Sequence, residues 1–259
     1  MIIIKSPREI ELMRKAGALT AKVFETVGPL VQPGVTTKYL AKMAKKVIED
    51  AGGICVEEGY GGFPGEICTS VNNVLVHGVP SETKVLKDGD IVSLDVVSLL
   101  NGYMGDACRT YPVGICGKET LRLIEVTEQC FWNGVSLIKE GVHLGDIQEA
   151  IQKTAESNGY SVVREYTGHG IGHEMHEDPY IPNYGKAGTG PILKAGMTLA
   201  IEPMVMAGKP AIRVLGDGWS AVSKDGKLNA HYENTVLVTK DGYEVLTLHS
   251  EKQEVSSFE

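Results

Sequence analysis

Two parts of this chain repeat one another at a constant offset, and the repeat restricts the folds open to it more than any other feature. Val31-Gln-Pro-Gly-Val35 answers to Ile138-Lys-Glu-Gly-Val142, and each segment precedes a helical pattern closed by glycine, Gly52 in one half and Gly159 in the other. Further on, Lys87-Asp-Gly-Asp-Ile-Val-Ser-Leu-Asp95 answers to Lys194-Ala-Gly-Met-Thr-Leu-Ala-Ile-Glu202. Every matched pair lies 107 positions apart (141 − 34, 159 − 52, 196 − 89, 202 − 95). Two similar α+β halves packed about a pseudo-two-fold axis satisfy this offset, with the repeat running from about 30 to 110 and again from 137 to 239. Asp95 and Glu202 then occupy equivalent strands and converge on one site.

The strand that carries Asp95 runs into the strongest short-range turn signal in the chain. Asn101-Gly102 separates two runs of strand-forming residues, as a two-residue hairpin requires. With that pair at the turn centre, Leu100 faces Tyr103, Val97 faces Asp106 and Asp95 faces Cys108. Side chains two apart on a strand share a face, so Asp95 and Asp106 point the same way as diagonal neighbours, roughly 5–8 Å apart. Two carboxylates so placed either lie on a solvated edge or share a cation, because otherwise they repel. The apolar run Ile91-Val-Ser-Leu before Asp95 and Val96-Val97 after it favour the cation.

The remaining signals are local. Ser6-Pro7-Arg8-Glu9 opens a helix with an N-cap, a first-turn proline and a capping box, and the pattern continues toward Gly28-Pro29. A second helix is expected from Thr36-Thr37 to Gly52-Gly53, two more over 118–139 and 144–157, strands near 54–56, 67–71 and 91–98, and a closing hairpin at Lys240-Asp241-Gly242. With 259 residues, 42% of them hydrophobic, the chain can bury a sizeable core and is expected to form one catalytic domain over 1–259. No apolar run approaches the roughly 18 residues needed to span a bilayer, and Met1-Ile-Ile-Ile4 is too short for a signal-peptide core. Five cysteines without a C-x-x-C pair suggest neither a disulfide framework nor a zinc ribbon, so a reducing cytoplasm is expected. A net charge of −8 without a basic run argues against DNA as a partner.

Thr167-Gly-His-Gly-Ile-Gly-His-Glu-Met-His-Glu-Asp-Pro179 is the second dense stretch, with three of the seven histidines inside eight positions. His173-Glu-Met-His-Glu177 is not H-E-x-x-H, so a helical zincin site is excluded, and a Cys/His structural zinc site lacks its cysteines. Imidazole beside several carboxylates suits first-row divalent ions, Mn, Fe or Co, with Zn also accommodated. Glu233, entering the β-branched strand of Ala230-His-Tyr-Glu-Asn-Thr235, is a third candidate, and His77 in Val76-His-Gly-Val-Pro80 a fourth. Taken singly, Glu233 reads as a surface acid and His77 as a turn residue.

Together these segments resemble the methionine aminopeptidases, in their bacterial type I form, over essentially the whole chain. The matching blocks are Ser70–Pro80, Gly89–Asp95, Gly102–Ala107, Gly168–Gly172, His176–Pro179, Ala200–Pro203 and His231–Thr235, and their order and spacing make the likeness specific. The resemblance implies the pita-bread fold, two pseudo-symmetric α+β halves around a central curved antiparallel sheet with two divalent ions (Co, Mn, Fe or Zn). It implies Asp95, Asp106, His169, Glu202 and Glu233 as ligands, with Asp106 and Glu233 bridging. It further implies His77, His176 and Glu202 as catalytic residues, with Glu202 shuttling the proton. A methionine pocket formed by Tyr60, Phe63, Cys68 and Trp219, with His77 and His176 at its mouth, follows likewise. Glu57 stands where some relatives have a small thiol residue, and Met175 where others have a bulky aromatic. The expected reaction is removal of the N-terminal initiator methionine from nascent proteins when the second residue is small, by a cytoplasmic monomer that touches the ribosome transiently and no membrane.

Two other readings compete. An Xaa-Pro aminopeptidase or prolidase shares the fold, but those enzymes usually carry a large N-terminal domain, whereas here the first catalytic-type helix begins near residue 6. A non-catalytic peptide-binding relative is disfavoured because all five ligand positions are filled. The interval from Glu202 to Glu233 leaves no room for the helical insertion of type II methionine aminopeptidases, and a eukaryotic cytosolic type I form, with its metal-binding N-terminal extension, is not expected.

Overall fold

The structure, a computed structural model, describes residues 1–248; residues 249–259, included in the expected domain span, lie outside the described residues. Helix α1 (Pro7–Val27) starts at the expected box, in which Ser6 Oγ accepts from Glu9 N and the Glu9 carboxylate accepts from Ser6 N. Helix α2 (Thr37–Asp50) is capped by Thr36. Three strands follow: β1 (Ile54–Cys55), β2 (Cys68–Val71) and β3 (Val74–Val76). The hairpin is formed by β4 (Ile91–Leu100) and β5 (Tyr103–Pro112), with Leu100 opposite Tyr103, Val97 opposite Asp106 and Asp95 opposite Cys108, the expected register.

Helices α3 (Lys118–Val135) and α4 (Leu144–Ser157) come next. Helix α4 has its expected bounds, whereas α3 stops four residues before the expected 139. The cause is local: Ser136 Oγ donates to Asn133 O, and Leu137 N and Ile138 N close tight turns onto Gly134 O and Val135 O instead of continuing the helix. The rest is short strands: β6 (Ser161–Val162), β7 (Thr167–Gly170), β8 (Glu177–Pro182), β9 (Thr198–Ile201), β10 (Met204–Met206), β11 (Ile212–Val214), β12 (Ala221–Ser223), β13 (Asn229–His231), β14 (Glu233–Val238) and β15 (Tyr243–Val245). The last two form the hairpin expected around residues 240–242.

Equivalent hydrogen bonds recur at the offset of 107. Gly34 N donates to Leu86 O as Gly141 N does to Leu193 O, and bridges join Thr36 to Val85 and His143 to Ile192. Helices α2 and α4, and strands β1 and β6, begin and end 107 positions apart.

Strands β1, β4, β5, β14, β9, β7 and β8 lie side by side in that order in one antiparallel sheet, with β2 also on β4 and β15 on β14. Alternation sorts its two faces. Leu94, Val96 and Ala107 pack into a core with α1 and α2, and Leu199, Ile201 and Val236 into one with α3 and α4. Gly105 lets α1 lie close on β5, since a Cβ there would meet Thr20 Oγ1 at 2.7 Å and Ala16 O at 2.9 Å. The intervening positions, Asp95, Asp106 and Glu233 among them, point to the opposite face.

Candidate metal centre

Five strands that are neighbours in the sheet each deliver one chemically active side chain to that opposite face. Asp95 comes from β4, Asp106 from β5, Glu233 from β14, Glu202 from the residue after β9, and His169 from β7. The ladder sets their spacing: Glu233 pairs with Cys108, and His169 with Ala200. His169 Nε2 lies 3.5 Å from Glu202 Oε1 and 3.7 Å from Asp106 Oδ2. Asp106, His169 and Glu233 are buried, while Asp95 and Glu202 retain some exposure toward an adjoining cavity.

The surroundings anchor the backbones of these groups and leave Asp106 Oδ1 and Glu233 Oε1 without a hydrogen-bond partner among the described residues. Thr235 Oγ1 accepts from Asp106 N and donates to Asp106 O, both at 3.0 Å. The Arg109 guanidinium donates to the carbonyl oxygens of Cys108 and Glu233 and to Asn234 Oδ1, and sits 4.5 Å from the Tyr232 ring and 5.1 Å from that of Phe24. His169 Nδ1 donates to Gly170 O at 2.9 Å, so Nε2 carries the lone pair that faces the carboxylates.

Burial and mutual charge set the electrostatics of the cluster. Burial pushes the Asp95 carboxyl up to about 7. Burial raises Asp106, Glu202 and Glu233 well above the usual carboxylate range, and the nearest acidic neighbours raise them further. Burial lowers His169 to about 4 and His231 to about 3, so both rings are neutral at physiological pH. Asp106 Oδ1, Glu233 Oε1 and His231 Nε2 are buried without a hydrogen-bond partner among the described residues. Unpaired buried acceptors are costly unless a cation satisfies them. Three groups here could hold a metal ion: Asp106–His169–Glu233, Glu202–His231–Glu233 and Asp95–Cys108–His231. Carboxylate oxygens with imidazole nitrogens suit first-row divalent ions.

The cavity above the cluster has a volume of about 300 Å³ and is lined by every residue the sequence singled out for the site. Phe63 and Trp219 meet edge to face at 5.3 Å, and Cys68 is buried beside them. Tyr60 Oη lies 2.9 Å from His176 Nδ1, and the His176 ring stands 4.4 Å from that of His169. His77 is held at a positive φ of 58° with its ring perpendicular to Tyr166, a strained backbone of the kind found where a side chain must be aimed. Both departures lie on the wall: Met175 is buried, and the Glu57 carboxylate accepts from Cys68 N at 2.9 Å and Val97 N at 3.0 Å, tying β2 to β4 beside Asp95.

His231 was not among the sequence candidates, nor were Tyr166 and Met204, which also line the cavity. For His231 a signal existed: it lies two residues before Glu233, the spacing that puts side chains on one face of a strand.

The antiparallel sheet, the related halves and the acidic cluster between them define a pita-bread metallopeptidase. The model of metallopeptidase family M24 matches residues 11–240. A methionine aminopeptidase from Clostridium acetobutylicum is 49% identical over 248 residues, 96% of this chain and 99% of that protein. Methionine aminopeptidase 1 of Bacillus subtilis is 48% identical over 247 residues, 95% of this chain and 99% of that protein. The crystal structure of methionine aminopeptidase from Thermotoga maritima superposes with a TM-score of 0.95 at 45% identity, covering 96% of this chain and 100% of that one. The prolidase from Pyrococcus furiosus, at 24% identity and a TM-score of 0.77, shares the fold alone; the match spans 96% of this chain and 66% of that one. The chain belongs to metallopeptidase family M24 and, within it, to the methionine aminopeptidases. Among the described residues no helix is long and apolar enough to cross a membrane.

Proposed function

We propose that this protein hydrolytically removes the N-terminal methionine from polypeptides whose second residue is small, using two divalent ions held by Asp95, Asp106, His169, Glu202 and Glu233. The observation that carries this reading is the convergence of those five side chains, from five adjacent strands, beneath an aromatic-lined cavity, with Asp106 Oδ1 and Glu233 Oε1 lacking any partner among the described residues. Asp106 and Glu233, central in the strand order, are suited to bridge both ions, with Asp95 to one side and His169 with Glu202 to the other. When bound, such ions acidify a water and draw charge from the scissile carbonyl.

The chain's own groups account for the remaining steps. The methionine side chain enters between Tyr60, Phe63, Cys68 and Trp219, where apolar walls match a flexible thioether. Glu202, which keeps some exposure toward the cavity, takes the proton of the attacking water as a carboxylate and returns it to the departing amine. The Tyr60 hydroxyl, donating to His176 Nδ1, leaves the proton on Nε2, from which His176 donates to the developing oxyanion. His77, at the other side of the mouth, contacts the nitrogen of the scissile bond. On this reading the 1–259 chain is one catalytic unit of two related halves, acting as a cytoplasmic monomer on chains leaving the ribosome.

The test is mass spectrometry of Met-Ala-Ser and Ala-Pro-Gly incubated with chelator-stripped protein, with and without Mn²⁺ or Co²⁺. Metal-dependent loss of methionine from the first peptide alone is expected. Cleavage of only the second would transfer the enzyme to the Xaa-Pro branch, and cleavage of neither would overturn the catalytic reading.

A further inference from the structure

We propose that His231 is a sixth protein ligand of the metal centre, binding through Nε2 the ion that Glu202 and Glu233 hold. The inference rests on the reading that these carboxylates bind metal, and it adds a residue that reading does not use.

The geometry treats His231 as it treats His169. His169 Nε2 stands 3.5 and 3.7 Å from the nearest oxygens of Glu202 and Asp106. His231 Nε2 stands 3.6 Å from Glu202 Oε2 and 3.6 Å from Glu233 Oε2. Glu202 therefore lies between two imidazoles and offers one oxygen to each. These separations are too long for N–H···O hydrogen bonds, which fall at about 2.7–3.2 Å. They approach the spacing of two donor atoms on one ion: with metal–ligand bonds of about 2.1 Å and a tetrahedral angle, neighbouring donors lie about 3.4 Å apart.

Burial strengthens the case. His231 is 2% exposed, and Nε2 has no hydrogen-bond partner among the described residues. A proton on Nε2 would leave a buried donor unused. A lone pair there, without a cation, would face two carboxylates. A metal ion between the three groups relieves both conflicts. His231 also belongs to two of the three groupings able to hold an ion, whereas His169 belongs to one. Its place is fixed from both sides of the peptide, since His231 N donates to Thr110 Oγ1 at 2.9 Å and Thr110 Oγ1 donates to His231 O at 2.8 Å. The ring is thus held by the hairpin that carries Asp95 and Asp106. A second neutral nitrogen ligand should favour Zn²⁺ and Co²⁺ over Mn²⁺ relative to an all-carboxylate setting.

The direct test is a crystal structure of the Zn²⁺-loaded wild-type protein with anomalous data at the zinc edge. His231 Nε2 within about 2.3 Å of an ion is the expected result. A separation beyond 3 Å, or a water interposed, overturns the proposal, and the site reading survives provided an ion still lies on Asp106 and Glu233. Density for no ion at those two residues would refute that reading and this proposal together. In solution, competition with a chromogenic chelator should show Zn²⁺ affinity falling at least tenfold in His231→Gln, as in His169→Ala, with a smaller fall for Mn²⁺. Since Gln can donate a hydrogen bond but is a poor ligand, unchanged Zn²⁺ affinity in a folded His231→Gln protein would overturn the assignment.

Discussion

Removing the metal should leave a protein whose stability falls as pH rises from 6.5 to 8, the reverse of what buried, salt-bridged carboxylates usually give. In the unfolded chain Asp and Glu ionise near 3.8 and 4.5, so above pH 6.5 they carry no protons. In the folded, chelator-stripped protein Asp95 titrates near 7, and Asp106, Glu202 and Glu233 are raised well above their ordinary values by burial and mutual charge. The folded state then binds more protons than the unfolded one, and stability falls by about 1.4 kcal/mol per pH unit for each proton retained. One retained proton over that interval amounts to about 2 kcal/mol, which for a chain of this size lowers Tm by about 4–8 °C. The histidines do not interfere there: His169 and His231, lowered by burial to about 4 and 3, cost stability only as pH falls below about 6.5, where their unfolded counterparts gain protons. Metal-free stability should therefore be greater at pH 6.5 than at pH 8. Ions replace the protons, so a divalent metal at a hundred times its Kd should add about 2.7 kcal/mol, and more as pH rises because fewer protons need be displaced. Differential scanning calorimetry at pH 6.5, 7.25 and 8, with EDTA or with Mn²⁺, measures both slopes. A stripped protein that is equally stable or more stable at pH 8 would show that the carboxylates do not share one desolvated site.

Asp106→Asn should abolish peptide turnover by removing a ligand placed to bridge both ions, as read by methionine release at saturating Mn²⁺; near-normal activity would refute the two-ion assignment. His176→Ala should lower kcat by about 10²–10³-fold, the scale of one lost oxyanion donor, while calorimetric Mn²⁺ affinity stays within a few-fold; loss of metal would mean that His176 is a ligand. Arg109→Met should lower unfolding free energy by about 2–3 kcal/mol, since it removes charge-assisted hydrogen bonds to Cys108 O, Glu233 O and Asn234 Oδ1. It should also weaken Mn²⁺ binding, and an unchanged Tm in urea-free buffer would show that the guanidinium does not hold β14 on β5.

The parts legible in the sequence were those determined by short-range rules. Asn101-Gly102 admits positive φ at both turn centres, 53° and 83°, so the hairpin register and the shared face of Asp95 and Asp106 followed from counting. Helix α4 was readable from Gly141 to Gly159 because both ends are marked. Helix α3 was overrun because hydrophobic periodicity continues through Leu137 and Ile138 after the hydrogen bonding has turned away. Strands β10 to β13 are three residues long, too short for a period of two to register. That shortness also hid His231, whose strand β13 pairs with β10 in a separate small sheet, so neither the hairpin nor the repeat pointed to it. The cavity wall was legible only through resemblance, since Tyr60, Phe63 and Trp219 meet across more than 150 residues of chain and each has the composition of ordinary core.

The residues around the cluster explain how a fold tolerates an unneutralised acidic centre. Neighbours anchor the backbones of the site-face carboxylates: Thr235 brackets Asp106, Arg109 grips the carbonyl of Glu233, and Asn183 donates to the carbonyl of Glu202. Asp106 Oδ1 and Glu233 Oε1 are therefore aimed but unpaired among the described residues. Pairing those oxygens with lysines or arginines would stabilise the metal-free chain, yet it would fill the positions an ion must occupy. Arg109 avoids this by approaching from behind the strand, between Phe24 and Tyr232, where its charge partly offsets that of Glu233 without reaching the carboxylate. On the proposed reading, the energetic deficit at Asp106 Oδ1, Glu233 Oε1 and His231 Nε2 drives metal uptake, so that stability and metal affinity are set by the same unsatisfied atoms.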